Sequence, residues 1–393
     1  MFRKMPFILV ALILLICFLG NTLPLEAKAF LYSISLSIKS IIITLLPFII
    51  FGLLFKVMAT LTRQASKLIF LILAGVCCSN FISTFLSHYV GVWVYHFDLS
   101  VIVPENNTAL EALWTFSLPK VIPNNIAMFS GLALGFIASY FKPSLSKEIA
   151  AKMDTVINHT LRIFTYFIPM FVAGFVIKLE HEGVMLMLIK DYALIFTMIA
   201  LAQFSYISFI YFIAHTKNCS LLQSIKNMLP AAITGFSTMS SAAAMPLTIL
   251  GSQKNANHPD IAPSVIPATV NVHLIGDCFA IPILAYAILK SFDVPEPTLI
   301  NYLIFAFYFV LAKFSVAAVP GGGIMVMLPV LETYLGFNSQ MLSLITAMYI
   351  LFDPVITSAN VLGNGGFALI IDKIQGRLFS PKVNTSLPCA EPE

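Results

Sequence analysis

The sequence predicts an all-α membrane protein with eight transmembrane helices and two re-entrant helical hairpins. Three observations lead there. Of 393 residues, 59% are hydrophobic and 10% are charged, with mean hydropathy +0.92. A soluble domain of this size has no use for so much apolar surface, so the composition excludes a large soluble domain. The stretch Ser315-Val-Ala-Ala-Val-Pro-Gly-Gly-Gly323 lies between two apolar arms, 302–314 and 324–331, each as long as half a membrane span. Broken backbone at membrane depth is tolerated only where protein buries it or it lines a cavity, so these arms read as a helix–turn–helix hairpin. Its glycine-rich tip offers bare backbone N–H and C=O groups to a ligand. A second interrupted segment, Gly235-Phe-Ser-Thr-Met-Ser-Ser-Ala-Ala-Ala-Met-Pro246, precedes it. Paired interrupted segments in a membrane chain point to a transporter's binding site.

In chain order, Arg3 and Lys4 precede an apolar run over 6–20. Ala27-Lys-Ala29 has the look of a signal-peptide cleavage site, but the basic start and the topology fit a first transmembrane helix better. Further spans are expected at 29–55, 68–95, 122–141, 161–177 and 184–214, then a hairpin over 221–251, a seventh span over 261–289, the second hairpin, and a last span over 342–371. Several exceed the roughly 20 residues needed to cross a bilayer, so tilting or bending is expected. Loop charge assigns the sides. Lys56, Arg63 and Lys67 share one loop, Lys142, Lys147 and Lys152 another; Lys217 and Lys254 flank the first hairpin, and Lys373, Arg377 and Lys382 follow the last span. Loops on the other side carry Asp98, Glu105, Glu180, Glu182, Asp293 and Glu296. The positive-inside rule then puts both termini in the cytoplasm, with the hairpins opening from opposite faces.

The net charge of +4 comes from loop lysines and implies no nucleic-acid partner. Cys17, Cys77, Cys78, Cys219, Cys278 and Cys389 show no metal-ligand spacing, and structural disulfides are not expected. Asn106-Asn107-Thr108 matches the glycosylation pattern, a match short enough to arise by chance.

Four groups of residues can carry chemistry. Ser240 and Ser241, in the first hairpin, combine hydroxyl donors with close backbone approach, although small residues also pack membrane helices together. Asp353, Thr357, Asn360 and Asn364 recur at steps of four, three and four and so share one helical face. A carboxylate inside a span needs a partner, either a ligand amine or a lysine from another span. His273 and Asp277 stand at i and i+4, close enough on a helix to touch, as a proton-holding pair or a structural one. Lys313 ends the first arm of the second hairpin, where it either meets unpaired carbonyls or snorkels to water.

These residues give the chain a resemblance to the dicarboxylate/amino acid:cation symporter family, which has the glutamate-transporter fold. The matching pieces are Ser240-Ser241 with Pro246, Ala318-Val-Pro-Gly-Gly-Gly323, Asp353 with Thr357 and Asn360-Val361, and Pro123-Asn-Asn125. The similarity covers nearly the whole chain and is strongest over 221–371. It implies a homotrimer in a lipid bilayer, each subunit a scaffold holding a mobile transport part that moves like an elevator. Residues 1–220 would be mostly scaffold and trimerisation helices, with the third and sixth spans joining the transport part. Residues 221–375 would be the transport core and 376–393 a cytoplasmic tail. By that resemblance Ser240, Ser241 and the backbone of Val319, Pro320, Gly321, Gly322 and Gly323 would cradle a substrate carboxylate. Asp353 would take an amine, and Asp277, Thr357 and Asn360 would complete the pocket.

The departures shape the expected function. Acidic-substrate members carry an arginine where Ile356 stands, so the main expectation is a symporter of a small neutral amino acid. The alternative is a carrier of dicarboxylates, either C4 acids or glutamate and aspartate. The family's Asn-Met-Asp-Gly-Thr sodium motif aligns with His273-Leu-Ile-Gly-Asp277, in which only Gly276 survives; a register shifted by two would put Asn271 at its asparagine. The aspartate that would hold sodium further along the last span is Asn364, and Lys313 falls near a second sodium position. Asn271, His273, Asp277, Lys313, Asn360 and Asn364 are thus the candidate ion-coupling residues. The expectation is that Lys313 supplies a built-in cation and His273 with Asp277 handles a proton, with proton favoured over Na+ as coupling ion and no other cofactor. An intramembrane hydrolase built on Ser241, His273 and Asp277 is disfavoured, because neither a nucleophile elbow nor an HExxH motif occurs. A channel-like or sensory protein that binds amino acid without coupled transport is a further alternative.

Overall fold

A computed structural model describes residues 5–61, 67–97, 110–119, 121–183, 185–214, 220–316 and 321–379. They are helical almost throughout, with no strand among them. Outside them lie Arg3, Lys4, Arg63, Asp98, Glu105, the Asn106–Thr108 pattern, Lys217, Cys219, Ala318, Val319, Pro320, Lys382 and Cys389.

The first five helices are α1 (Met5–Leu19), α2 (Leu25–Leu61), α3 (Lys67–Tyr95), α4 (Asn124–Phe141) and α5 (Pro143–His181). Helices α2 and α5 run well past the spans expected at 29–55 and 161–177, continuing through Pro47 and Pro169. They form a bundle with α4, and small residues set its spacing. Gly131 and Gly135 of α4 lie against the backbone of Phe51 and Phe55 of α2; a Cβ on Gly131 would come within 2.6 Å of the Phe51 carbonyl oxygen. This is the close backbone approach that a GxxxG spacing permits between membrane helices. Ser35 of α2 donates to the Met170 carbonyl of α5 at 3.0 Å, and Lys28 pairs with Glu180 at 3.3 Å where α1 meets the bundle.

The remainder is built from α6 (Met185–Ala214), α7 (Leu221–Thr238), α8 (Ser241–Asn255), α9 (Ala262–Thr269), α10 (Ile275–Ser291), α11 (Leu299–Lys313), α12 (Gly322–Leu335) and α13 (Ser339–Phe379). Helix α10 is buried along nearly its whole length, packed by α3, α6, α12 and α13. Among the described residues three helices are long and apolar enough to cross a membrane: Phe70–Tyr95, Tyr192–Ala214 and Gln340–Gln375, the last with 78% of its apolar window buried against 28% for the second. Helix α13 is therefore the inner axis of this region.

Both interrupted segments break where expected. Helix α7 stops at Met239, in the left-handed region at φ 50°, and α8 begins after Ser240, whose hydroxyl caps it by accepting from the Ala243 N–H. Helices α11 and α12 pack on each other, and α12 opens at Gly321, with φ 71°. The seventh span departs from expectation. Instead of one helix over 261–289, the chain forms α9, unwinds over 270–274, and resumes as α10. Asn80 of α3 satisfies the freed backbone: its amide donates to the Val272 carbonyl at 2.7 Å and accepts from the Leu274 N–H at 3.3 Å. Near the far end of α13, Asp372 takes the N–H groups of Asn257 and His258 and the His258 ring, fastening the loop after α8.

Candidate substrate-binding site

The two helix breaks reach the same level of α13. On α7, Met228 lies beside Gly365, and Gly235 lies beside Thr357 and Val361. The helices thus run antiparallel, and one further turn of α7 sets the Met239–Ser240 break at the height of Asp353. From the other hairpin the Gly321 N–H donates to Asp353 Oδ2 at 2.9 Å, while the Thr357 hydroxyl donates to Asp353 Oδ1 at 3.1 Å. Only glycine adopts the Gly321 backbone freely. Ser241, Asp353, Thr357 and Asn360 are all buried. The N-terminal ends of two half-helices, α8 and α12, therefore belong to this site, and such ends favour anionic groups.

Beside it lies a charged knot. Asp277, in the first turn of α10, receives Lys313 Nζ at 2.9 Å on Oδ2, and the Tyr349 hydroxyl at 2.8 Å with the Asn360 amide at 3.4 Å on Oδ1. Asn360 Oδ1 in turn accepts from the Gly276 N–H at 2.8 Å. Lys313 is fully buried, with Nζ 4.5 Å from the Phe309 ring centroid. The snorkelling alternative is thereby excluded, and the lysine pairs with Asp277 rather than with Asp353 or free carbonyls. Two glycines permit the close packing: a side chain at Gly323 would overlap Asp277 and the Tyr349 hydroxyl, and one at Gly276 would overlap the Ile356 carbonyl. Gly322 is buried at the start of α12.

The expected His273–Asp277 contact is not made. The i, i+4 rule presumes continuous helix, and the unwound segment turns the imidazole elsewhere. His273 Nδ1 lies 3.2 Å from Asn364 Oδ1, Nε2 lies 2.8 Å from the Ser79 hydroxyl, and Phe367 stacks on the ring with centroids 4.4 Å apart. The amide oxygen calls for a proton on Nδ1, and the Ser79 hydroxyl can serve Nε2 as donor or acceptor, so the ring is satisfied on both sides with no carboxylate bonded to it among the described residues. His273, not Asn271, faces Asn364; Asn271 is exposed. Val319 and Pro320 fall outside the described residues.

Four contributors escape a reading by motif. Tyr349 stands four residues before Asp353, so extending the same periodicity backward would have found it. Ser79 and Asn80 form a polar pair inside an apolar helix, which is itself a signal. Gln203 of α6 is fully buried, and neither end of its amide has a hydrogen-bond partner among the described residues. Phe196 stacks on Phe352, and Tyr211 donates to the Leu362 carbonyl, which sets Gln203 at the height of Ile356–Ala359.

A family model described as the sodium:dicarboxylate symporter family matches residues 6–374. Excitatory amino acid transporter 1 of Mus musculus and that of Rattus norvegicus are each 24% identical over 295 residues, 70% of this chain and 53% of theirs. The chain spans about half the length of the curated relatives it matches.

Proposed function

The chain belongs to the sodium:dicarboxylate symporter family, and from that premise we propose that it carries a small dicarboxylate or acidic amino acid across a membrane together with a cation. Family and relatives weigh towards acidic solutes and outweigh the neutral amino acid expected from Ile356. The observation that carries the reading is the meeting of the α8 and α12 N-termini beside Asp353 on α13. Two positive helix ends suit a carboxylate, and a buried carboxylate suits an amine, so an amine-bearing acid such as aspartate or glutamate fits best within the class. In this reading Ser240, Ser241 and the hairpin backbone hold the carboxylate, Asp353 the amine, and Thr357 and Asn360 the remaining polar groups. Residues 221–375 form a transport core within a homotrimer that works by elevator motion, and both termini lie in the cytoplasm.

One observation favours a second reading, a neutral amino acid. Ile356 is fully buried and apolar, and Lys313 is already committed to Asp277, which leaves no basic partner for a second carboxylate among the described site residues. Uptake into liposomes holding the purified protein separates the two. Labelled aspartate or succinate should enter and be competed by other dicarboxylates. Entry of alanine or serine with no entry of acids would establish the second reading, and entry of neither class would end both.

A further inference from the structure

We propose that the Lys313 ammonium is a tethered cation that stands at Asp277 in place of a free coupling ion. The coupling meaning of this statement rests on the symporter reading above; the cation site itself does not.

The pair is dry, with the side chains of Lys313 and Asp277 0% and 2% exposed. It is also placed at a joint rather than in a wall. Lys313 is the last residue of α11, Asp277 belongs to the first turn of α10, Tyr349 and Asn360 come from α13, and the start of α12 presses on the group through Gly323. A buried ion pair is a poor source of stability, since two apolar side chains of like volume commonly do as well, so stability alone is a weak account of its presence. Its immediate surroundings are those of a bound cation: Nζ has the Asp277 Oδ2 at 2.9 Å and the Phe309 ring face at 4.5 Å. The Tyr349 hydroxyl and Asn360 amide hold the other oxygen of that carboxylate, and the Ser315 hydroxyl, two residues beyond Lys313, is fully buried without a partner among the described residues. In a family described by sodium coupling, a mobile ion at this carboxylate would have to arrive and leave with each cycle. Here the charge is covalently attached and stays.

Removing the ammonium should therefore create a site for a small free cation. The measurement is the melting midpoint of the full-length purified chain without substrate, in sodium, methylammonium or choline chloride at equal ionic strength. Lys313→Ala should melt well below wild type in choline and recover much of the loss in sodium or methylammonium, a gain that far exceeds any in wild type. The excess should vanish in Lys313→Ala/Asp277→Asn, which lacks the carboxylate. Equal salt responses of Lys313→Ala and wild type would overturn the proposal, as would an excess that survives in the double variant. If Lys313→Ala does not fold, Lys313→Ser takes its place, because its hydroxyl adds an oxygen; failure of both to fold in all three salts also overturns it. No step uses a substrate, so failure of the transport reading would show separately, in the liposome assay.

Discussion

The α2–α4–α5 bundle and the α10–α13 region solve the same problem by opposite means. In the bundle, α2 and α5 run long and unbroken, glycines of α4 let backbones touch, and apolar side chains such as Leu134, Phe136 and Ile137 point outward. Around α10 and α13, the chain breaks between α7 and α8, between α9 and α10 and between α11 and α12, and Lys313, Asp277, Asp353 and His273 are buried. Packing small residues costs a membrane protein little, whereas interrupted backbone and desolvated charge need a compensating partner at every atom. The contrast is one of degree, since the bundle also buries the Lys28–Glu180 pair, but broken backbone and buried charge occur together only around α10 and α13 among the described residues, and that is where to look for work.

Four changes test this contrast, from the largest effect to the smallest. Asp277→Asn strands the Lys313 ammonium and should cost roughly 3–5 kcal/mol, read as a large fall in melting midpoint; a variant as stable as wild type would mean that the pair is not the dry junction described. Gly131→Leu forces α4 off the Phe51 carbonyl and should cost about 1–3 kcal/mol while leaving substrate affinity unchanged. A change in affinity measured by calorimetry would show that the bundle is not separate from the site. Thr357→Val removes the hydroxyl on Asp353 and should weaken substrate binding about tenfold with little loss of stability, the reverse pattern. Gln203→Leu replaces a buried amide that has no partner among the described residues with an apolar side chain and should leave the midpoint unchanged or slightly higher. A marked fall would mean that the amide has a partner essential to the fold.

Much of this was legible from residue order because it depends on local chemistry. The two breaks follow from proline, glycine and serine in apolar runs, and the Asp353–Thr357–Asn360 face follows from helical spacing. What was not legible depends on contacts between distant segments. The unwinding over 270–274 is supported by Asn80, 192 residues from its partner Val272. Without that contact, His273 and Asp277 look like neighbours on one helix. The partner of Lys313 was equally hidden, since nothing in the local sequence around either residue links α11 to the first turn of α10. The lengths of α2 and α5 were underestimated because charged ends continue helically beyond the apolar stretch.

The placement of Lys313 makes the two arms of the second hairpin unequal in how firmly they are held. Drawing α11 away from α10 would pull a buried cation and a buried anion apart, at several kilocalories per mole for each. Glycine at position 323, in contrast, meets Asp277 only by packing, with no ion pair from that arm to Asp277 among the described residues. The two arms are thus held differently: α11 is tied to α10 by a full ion pair, and α12 is tied to α13 by one backbone N–H of Gly321 on the Asp353 carboxylate.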